Sequence, residues 1–302
     1  MAKDTINRTQ INSFIPEKVA AMAINKLTSY MNLARTVYRD FEPEVASEGD
    51  TVIVPKFGTM TANEMSQTGQ VTLQNPADDE VKIELDQHWE STFLIRDVAK
   101  AMAKPKVLEG YVKNGAIALA EKIETLLAAL YASAGITVDA GANVQLDDMR
   151  SVRKEHVDAK VPRIAPKYAY LDSQAYTDLL ALSNIGDASQ FGSRSALLTG
   201  KIPQLYGYGI FESQNIQSSG SPATYHCLAY TEESMALVMR PLPSPGDGLG
   251  VKSAVVQDPE SGVGLRVCYS WDKDHLGVQV TLDVLFGVGA LRDDLLIDLY
   301  HT

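Results

Sequence analysis

The longest periodic signal in the chain is helical. Leu108, Val112, Gly115, Leu119, Ile123, Leu126 and Leu130 recur at intervals of three and four, the spacing of one helix face. The pattern predicts a helix over 105–134, with Pro105 suited to its start and Gly135 to its stop. At 1.5 Å per residue it would be roughly 40 Å long. An earlier amphipathic stretch contains Val19, Met22, Ala23, Leu27, Tyr30 and Leu33-Ala34, with Asn12-Ser13 as a cap and Pro16 in the first turn. Between the two helices the period changes. Thr51–Phe57 and Val81–Asp86 read as strands, the second alternating apolar and charged. Gly58, Asn63, Gly69, Asn75 and Pro76 mark the polar stretch separating them. It is too long for an ordinary hairpin turn. The whole reads as an extended two-stranded loop that leaves the body of the subunit. Such a ribbon is marginal alone and needs another surface to lie on.

Past the long helix the elements are shorter. Asp147-Asp148 caps a predicted helix through His156 and Val157 that ends by Pro162. Tyr168–Leu171 reads as a strand, and Asp172 or Ser173 caps a short helix through Leu182. Gly186–Gly192 reads as a loop, 208–212 and 225–230 as strands, and 241–250, with three prolines and three glycines, as irregular. Strands follow at 264–271 and 276–285. Gly287-Val288-Gly289 is expected to break the second, and 295–300 closes the chain. There is no internal repeat and no low-complexity tract.

Composition narrows the class. The 302 residues are 45% hydrophobic and 22% charged, ordinary values for a globular protein. The formal net charge of −11 disfavours a dedicated DNA reader or a binder of anionic membranes. The charge is unevenly spread, with residues 1–40 carrying a net +3 and residues 41–100 a net −8. No apolar run reaches the ~20 residues of a membrane span, and Met1–Thr5 offers no apolar signal core. Cys227 and Cys268 are too few for a disulfide framework and form no C-x-x-C pair. A reducing cytoplasm is the expected place of synthesis.

A search for chemistry assigns no catalytic, cofactor-binding or metal-ligating residue, and no cofactor is expected. There is no phosphate loop and no G-x-S-x-G elbow. Gly207-Tyr208-Gly209 and Gly287-Val288-Gly289 lack the third glycine of a dinucleotide loop and are expected to be turn or bulge glycines. His88, His156, His226, His275 and His301 form no H-x-x-x-H pair. His275 follows Asp272 and Asp274, and His226 precedes Cys227, so a site assembled from distant positions stays open. Asp78-Asp79-Glu80 lacks calcium-loop spacing and reads as a solvated turn. Trp89 and Trp271 sit in strand-like runs and are expected to be packing residues.

The order of features resembles the major capsid (coat) proteins of tailed bacteriophages, the Hong Kong 97-type fold. Glu48–Pro55 is similar to the first strand of that family's extension loop. Val81–Asp97 and the helix around Ala116–Glu124 are similar to its return strand and spine helix. Gly200–Pro203 with Gly207–Ser213 is similar to a loop and strand of its axial domain, and Trp271–Gly287 with Arg292 to its closing peripheral strands. The resemblance implies an α+β fold with an N-terminal arm and helix (1–40) and an extension loop that starts the peripheral domain (41–100). A spine helix (101–140), an axial domain (141–260) and closing strands shared by both domains (261–302) follow. It implies a non-enzymatic shell subunit forming pentamers and hexamers around double-stranded DNA, assembled in a bacterial cytoplasm and found in the virion. The partners it implies are further copies of the chain, a portal protein, a decoration protein and weak, sequence-independent contact with DNA through the basic arm. The spine helix begins about a hundred residues in, so a scaffolding protein is expected to be separate. Lys56 is the only lysine between Phe41 and Val81, and no crosslink is assigned to it. The alternatives are an encapsulin-type nanocompartment shell of the same fold, which encloses enzymes, an α+β hydrolase with a dispersed acid/His site in an apolar pocket, and a solitary binding module.

Overall fold

A computed structural model describes residues 16–39, 51–56, 60–65, 70–75, 79–97, 106–182, 185, 200–202, 204–245, 251–257 and 263–302. The arm before Pro16, the Asn12-Ser13 cap, Glu48–Asp50, Pro105 and the 186–192 loop lie outside the described residues.

The two predicted helices form α1 (Pro16–Tyr30) and α2 (Lys106–Ala128). Helix α2 runs on into a short 3-10 turn, Ala129–Ser133, so its α-helical part ends earlier than the apolar pattern predicts. Its buried face is Val112, Ala116, Leu119, Ala120, Ile123 and Leu127. Leu127 replaces Leu126 because the 3.6-residue period drifts across a stripe drawn in steps of three and four. Strands β1 (Thr51–Lys56) and β2 (Asp79–Glu84) pair antiparallel, and β3 (Gln87–Arg96) follows directly.

The remaining elements build two sheets. After α2 come β4 (Ile136–Asp139), α3 (Leu146–Asp158), β5 (Lys167–Leu171), α4 (Ser173–Ala181), β6 (Gln204–Leu205), β7 (Tyr208–Glu212), β8 (Gln217–Ser219) and β9 (Thr224–Thr231). The chain closes with β10 (Met235–Arg240), β11 (Lys252–Gln257), β12 (Gly264–Asp272), β13 (Gly277–Ala290) and β14 (Leu296–His301). In the five-stranded sheet β13 pairs antiparallel with β3, β10 and β12, and β11 joins β12. The seven-stranded sheet runs β4-β14-β9-β5-β7-β6, with β8 on β9. Within 141–260, β10 and β11 therefore pair into the first sheet rather than the second.

Local chemistry explains several boundaries. Asp172 caps α4, its carboxylate accepting from the backbone N–H groups of Ala175 and Gln174. Helix α3 is capped by Gln145, in a reciprocal box with Asp148, rather than by the Asp147-Asp148 pair itself. Tyr206 (φ 51°) and Gly207 (φ 92°) make the two-residue turn between β6 and β7, where both positions need positive φ.

Two apolar clusters share the load. One lies between α1, α2 and the five-stranded sheet, and includes Leu27, Val112, Ile123, Val267, Leu282 and Phe286. The other lies between α3, α4 and one face of the seven-stranded sheet, and includes Met149, Val152, Leu179, Leu171 and Leu299. The opposite face of that sheet contributes Tyr170, Leu228, Tyr230 and Leu296 to the first cluster, which joins the two halves.

At this junction sits Glu124, 1% exposed on the buried face of α2. Its carboxylate accepts from the backbone N–H of Leu33 (3.1 Å) and Ala34 (3.0 Å) and from the Tyr170 hydroxyl (2.7 Å). Burial raises its pKa above the usual carboxylate range, and these hydrogen bonds oppose the rise. The folded chain thus binds this proton more tightly than the unfolded one. The contribution is fully present below the unfolded pKa and is lost as pH rises through the folded pKa. Glu124→Gln turns an amide N–H₂ toward a donor and is expected to cost about 1–3 kcal/mol, with a larger deficit near pH 4 than near pH 8. Tyr170→Phe is expected to cost about 1–2 kcal/mol. Urea unfolding at the two pH values checks both.

Candidate assembly surfaces

The β1–β2 ribbon is paired over Thr51–Lys56 and Asp79–Glu84. Thr51 faces Glu84, Val52 faces Ile83 and Lys56 faces Asp79. The same offset sets Thr61 opposite Gln74, and there the Thr61 backbone N–H donates to Gln74 Oε1 at 2.8 Å. Side chains alternate between faces along a strand. Val52, Val54, Ile83 and Val81 therefore share a face. Near the base, Val52 and Ile83 are buried against Ala236, Val238 and Leu291. Farther out, residues 60–65 and 70–75 are exposed throughout, Met60, Met65, Val71 and Leu73 among them, Leu73 by 92%.

The base of the ribbon lies across the end of β13. A Cβ at Gly287 would run into the Glu84 carbonyl oxygen, and one at Gly289 would meet Ile83 Cγ1 at 3.0 Å. These glycines do not break the strand, contrary to expectation. Strand β13 continues through them to Ala290, because their missing side chains let β2 cross in contact. Lys56 Nζ reaches Asp293 at 3.1 Å beside the crossing, and this bond holds the Asp293 carboxyl below its ordinary range.

Other predicted features move as well. Asp79 and Glu80 start β2 as exposed strand residues, not a turn, while Asp78 lies outside the described residues. The tryptophans are not packed inside the subunit. Lys122 Nζ lies 4.1 Å from the Trp89 ring centroid, and Trp271, 55% exposed, donates to Asp97 at 3.3 Å.

Four of the five histidines pair with an aspartate: three with partners far along the chain, which the sequence did not announce, and His275 with Asp272 three residues before it. His226 and Cys227 point to opposite faces of β9 and so reach different acids. His226 Nδ1 lies 2.8 Å from Asp298 Oδ2, with Ser219 Oγ 2.7 Å from Nε2. His301 Nε2 lies 2.9 Å from Asp172 Oδ1, and Cys227 Sγ lies 3.6 Å from the same oxygen. His88 meets Asp283 at 3.2 Å, and His275 meets Asp272 at 2.7 Å. His156 is buried against the Tyr208 hydroxyl, and burial holds its imidazole below the ordinary value.

The buried Asp172–Cys227–His301 group has the composition of a metal-ligand set. Its geometry is that of a helix cap instead: Asp172 is engaged by two backbone N–H groups, and burial pushes the Cys227 thiol up, away from the thiolate a metal needs. Ser219–His226–Asp298 has the connectivity of a nucleophilic triad. The described cavity, about 140 Å³ and lined by Lys160, Pro162, Glu232, Glu233, Arg292 and Leu295 among others, holds none of the three. The described residues also present exposed surface: the outer part of the ribbon and exposed aromatic rings.

Helices on one face of a sheet built around β13, a long central helix, a second α/β unit and a protruding β-ribbon define the Hong Kong 97-type fold of tailed-phage capsid proteins. The chain is similar to the solved structure described as Mycobacterium phage Che8, with 20% identity and a TM-score of 0.65 over 87% of this chain and 88% of that one. It is also similar to the capsid structure of cyanophage P-SCSP1u, with 18% identity and a TM-score of 0.62 over 85% and 84% of the two chains. A virus-like particle from Pyrococcus furiosus is less similar, with 12% identity and a TM-score of 0.50 over 93% and 97%. No protein-family description and no curated protein sequence matches the chain.

Gly287→Ala is expected to force the ribbon off β13, at a cost of about 1–3 kcal/mol. Thermal unfolding of the variant checks this, and a Tm equal to the parent's would mean that the close crossing does not form.

Proposed function

We propose that the chain is the major capsid protein of a tailed bacteriophage, a structural subunit that assembles as pentamers and hexamers into an icosahedral shell around double-stranded DNA. The observation that carries this reading is the ribbon, packed at its base through Val52 and Ile83 and bare beyond it, where Met60, Met65, Val71 and Leu73 are exposed. A second copy of the chain supplies the missing surface. Burying Met60, Val71 and Leu73 there contributes about 1.5–3 kcal/mol each. This reading divides the chain into an arm (1–40), an extension loop (41–100), a spine (101–140), an axial domain (141–260, without the β10 and β11 strands) and closing strands (261–302). It needs no catalytic residue, metal or cofactor.

The net charge of −11 fits a wall that confines DNA rather than gripping it. Counterions screen such a wall from packed phosphates. A portal, a separate scaffolding protein and a decoration protein are the partners such a shell calls for. The virion is then its location, after assembly in the host cytoplasm. The second reading is a nanocompartment shell, which the likeness to the Pyrococcus furiosus particle favours, though with a lower TM-score than the phage structures.

Light scattering and negative-stain microscopy of the purified chain, with and without the products of neighbouring genes, test the proposal. Closed particles, pentamers or hexamers are expected, with nucleic acid rather than enzyme as the cargo of filled particles. Val71→Asp combined with Leu73→Asp is expected to abolish particles while leaving the subunit's Tm unchanged. A monomer or dimer under every condition would overturn the shell reading.

A further inference from the structure

Strand β3 (Gln87–Arg96) is an edge strand of the five-stranded sheet. It pairs with β13 alone, because β10 and β12 both lie along the other side of β13. At ten residues it spans roughly 33 Å, while the edge strands β4, β6 and β11 have four, two and six residues. A long edge of unpaired backbone groups is a template for another strand. Among the described residues no strand pairs with the outer side of this one.

The register identifies the unpaired groups. Gln87 lies opposite Phe286 and Arg96 opposite Gly277, with no slip between them. Just beyond, the Asp97 N–H donates to the Leu276 carbonyl at 3.0 Å. Along an antiparallel strand, successive residues bond alternately to one side and the other. Asp97, Ile95, Phe93, Ser91 and Trp89 therefore turn their N–H and C=O groups toward β13. His88, Glu90, Thr92, Leu94 and Arg96 turn theirs outward.

Charge on an edge strand ordinarily guards against pairing. Here the charges at positions 90 and 96 are opposite in sign, and neither is neutralised by an ion pair among the described residues. Glu90 stands across from Asp283, whose carboxylate already takes Arg266 and His88. On the helix-facing side of the same edge, Phe93 packs against the first apolar cluster. The Tyr111 ring of α2 lies 5.6 Å from the Phe93 ring and is 53% exposed.

We propose that β3 pairs antiparallel with β3 of a second copy, about a two-fold axis at Phe93. In that register Glu90 faces Arg96 of the partner subunit, Thr92 faces the partner's Leu94, and symmetry repeats both relations. All four positions point their backbone groups outward, so the pairing makes about eight hydrogen bonds. It adds two cross-strand pairs of opposite charge and sets the Phe93 and Tyr111 rings of the two copies side by side at the axis. An axis at Thr92 would instead set Arg96 against His88 and Glu90 against Leu94, leaving the acid without a cation. The contact deepens the shell reading, on which its place in a particle rests. A self-complementary contact closes on two copies and cannot continue around a ring, so it joins subunits of neighbouring rings.

Charge reversal and cysteine pairing in the full-length chain test this. Glu90→Arg and Arg96→Glu each set like charges opposite one another twice. Each is expected to lower the associated fraction by at least about tenfold, and the chain carrying both substitutions to recover it. Light scattering reads association, and circular dichroism melting reads folding. Phe93→Cys is expected to give a disulfide-linked dimer on mild oxidation, because Cα atoms of a non-hydrogen-bonded pair lie about 4.5 Å apart. Thr92→Cys, one residue off the axis, is expected to give none. Single reversals that associate like the parent, a double variant that does not recover, or a dimer linked through Thr92→Cys would overturn the contact. Self-association intact with loss of a co-expressed neighbouring gene product would overturn it in favour of a foreign strand. Particles in the parent without a Phe93→Cys link leave the shell reading standing and remove this contact. Linked dimers that never form particles keep the contact and remove the shell reading.

Discussion

A single buried carboxylate holds the three parts of the subunit in register. Glu124 comes from α2, and its partners come from the segment after α1 and from β5 in the other sheet. Without it two backbone N–H groups of a 3-10 turn would be buried without partners, each a cost of about 1–3 kcal/mol, and the Tyr170 hydroxyl would lose its bond to the carboxylate. An apolar residue at 124 would fill the space and leave those donors stranded. The angle between the two halves of the subunit is therefore fixed by directional bonds as well as by packing. A shell subunit repeated many times needs such a fixed angle, because an error within one copy recurs around the whole particle.

Much of the architecture is legible in the sequence wherever a short-range pattern is sufficient. The three- and four-residue spacing finds the buried face of α2, the Asp172 cap finds the start of α4, and period-two alternation finds β2. Where the determinant is a neighbour far along the chain, the sequence is mute. Glu124 lies four residues after Ala120 and four before Ala128, on a buried face, which marks it as unusual. Nothing local names its partners some ninety residues earlier. Gly287 and Gly289 read as a break because glycine weakens an isolated strand, and only the crossing of β2 explains why the strand continues. Strands β10 and β11 are short apolar runs, which periodicity alone cannot distinguish from helix or loop.

The candidate surfaces follow the same division. The need for a partner is readable from the length and polarity of the 57–78 connection, but which face wants covering is not. That requires the register, since a slip of one residue would turn Val52 and Ile83 away from Ala236 and Val238. Three of the four histidine–aspartate pairs join elements far apart in sequence, tying β3 to β13, β9 to β14 and β14 to the cap of α4.

The fixed register of the ribbon has a thermodynamic consequence. Its two strands are paired with each other at the base, and Gln74 is bonded to Thr61 farther out, so their conformation is selected when the subunit folds. A loose loop of this length would lose its freedom only at the moment of association, and that loss would be subtracted from the affinity of each contact. Under the proposed shell reading, the concentration at which subunits begin to associate depends on how rigid the free subunit is, as much as on what its neighbours offer.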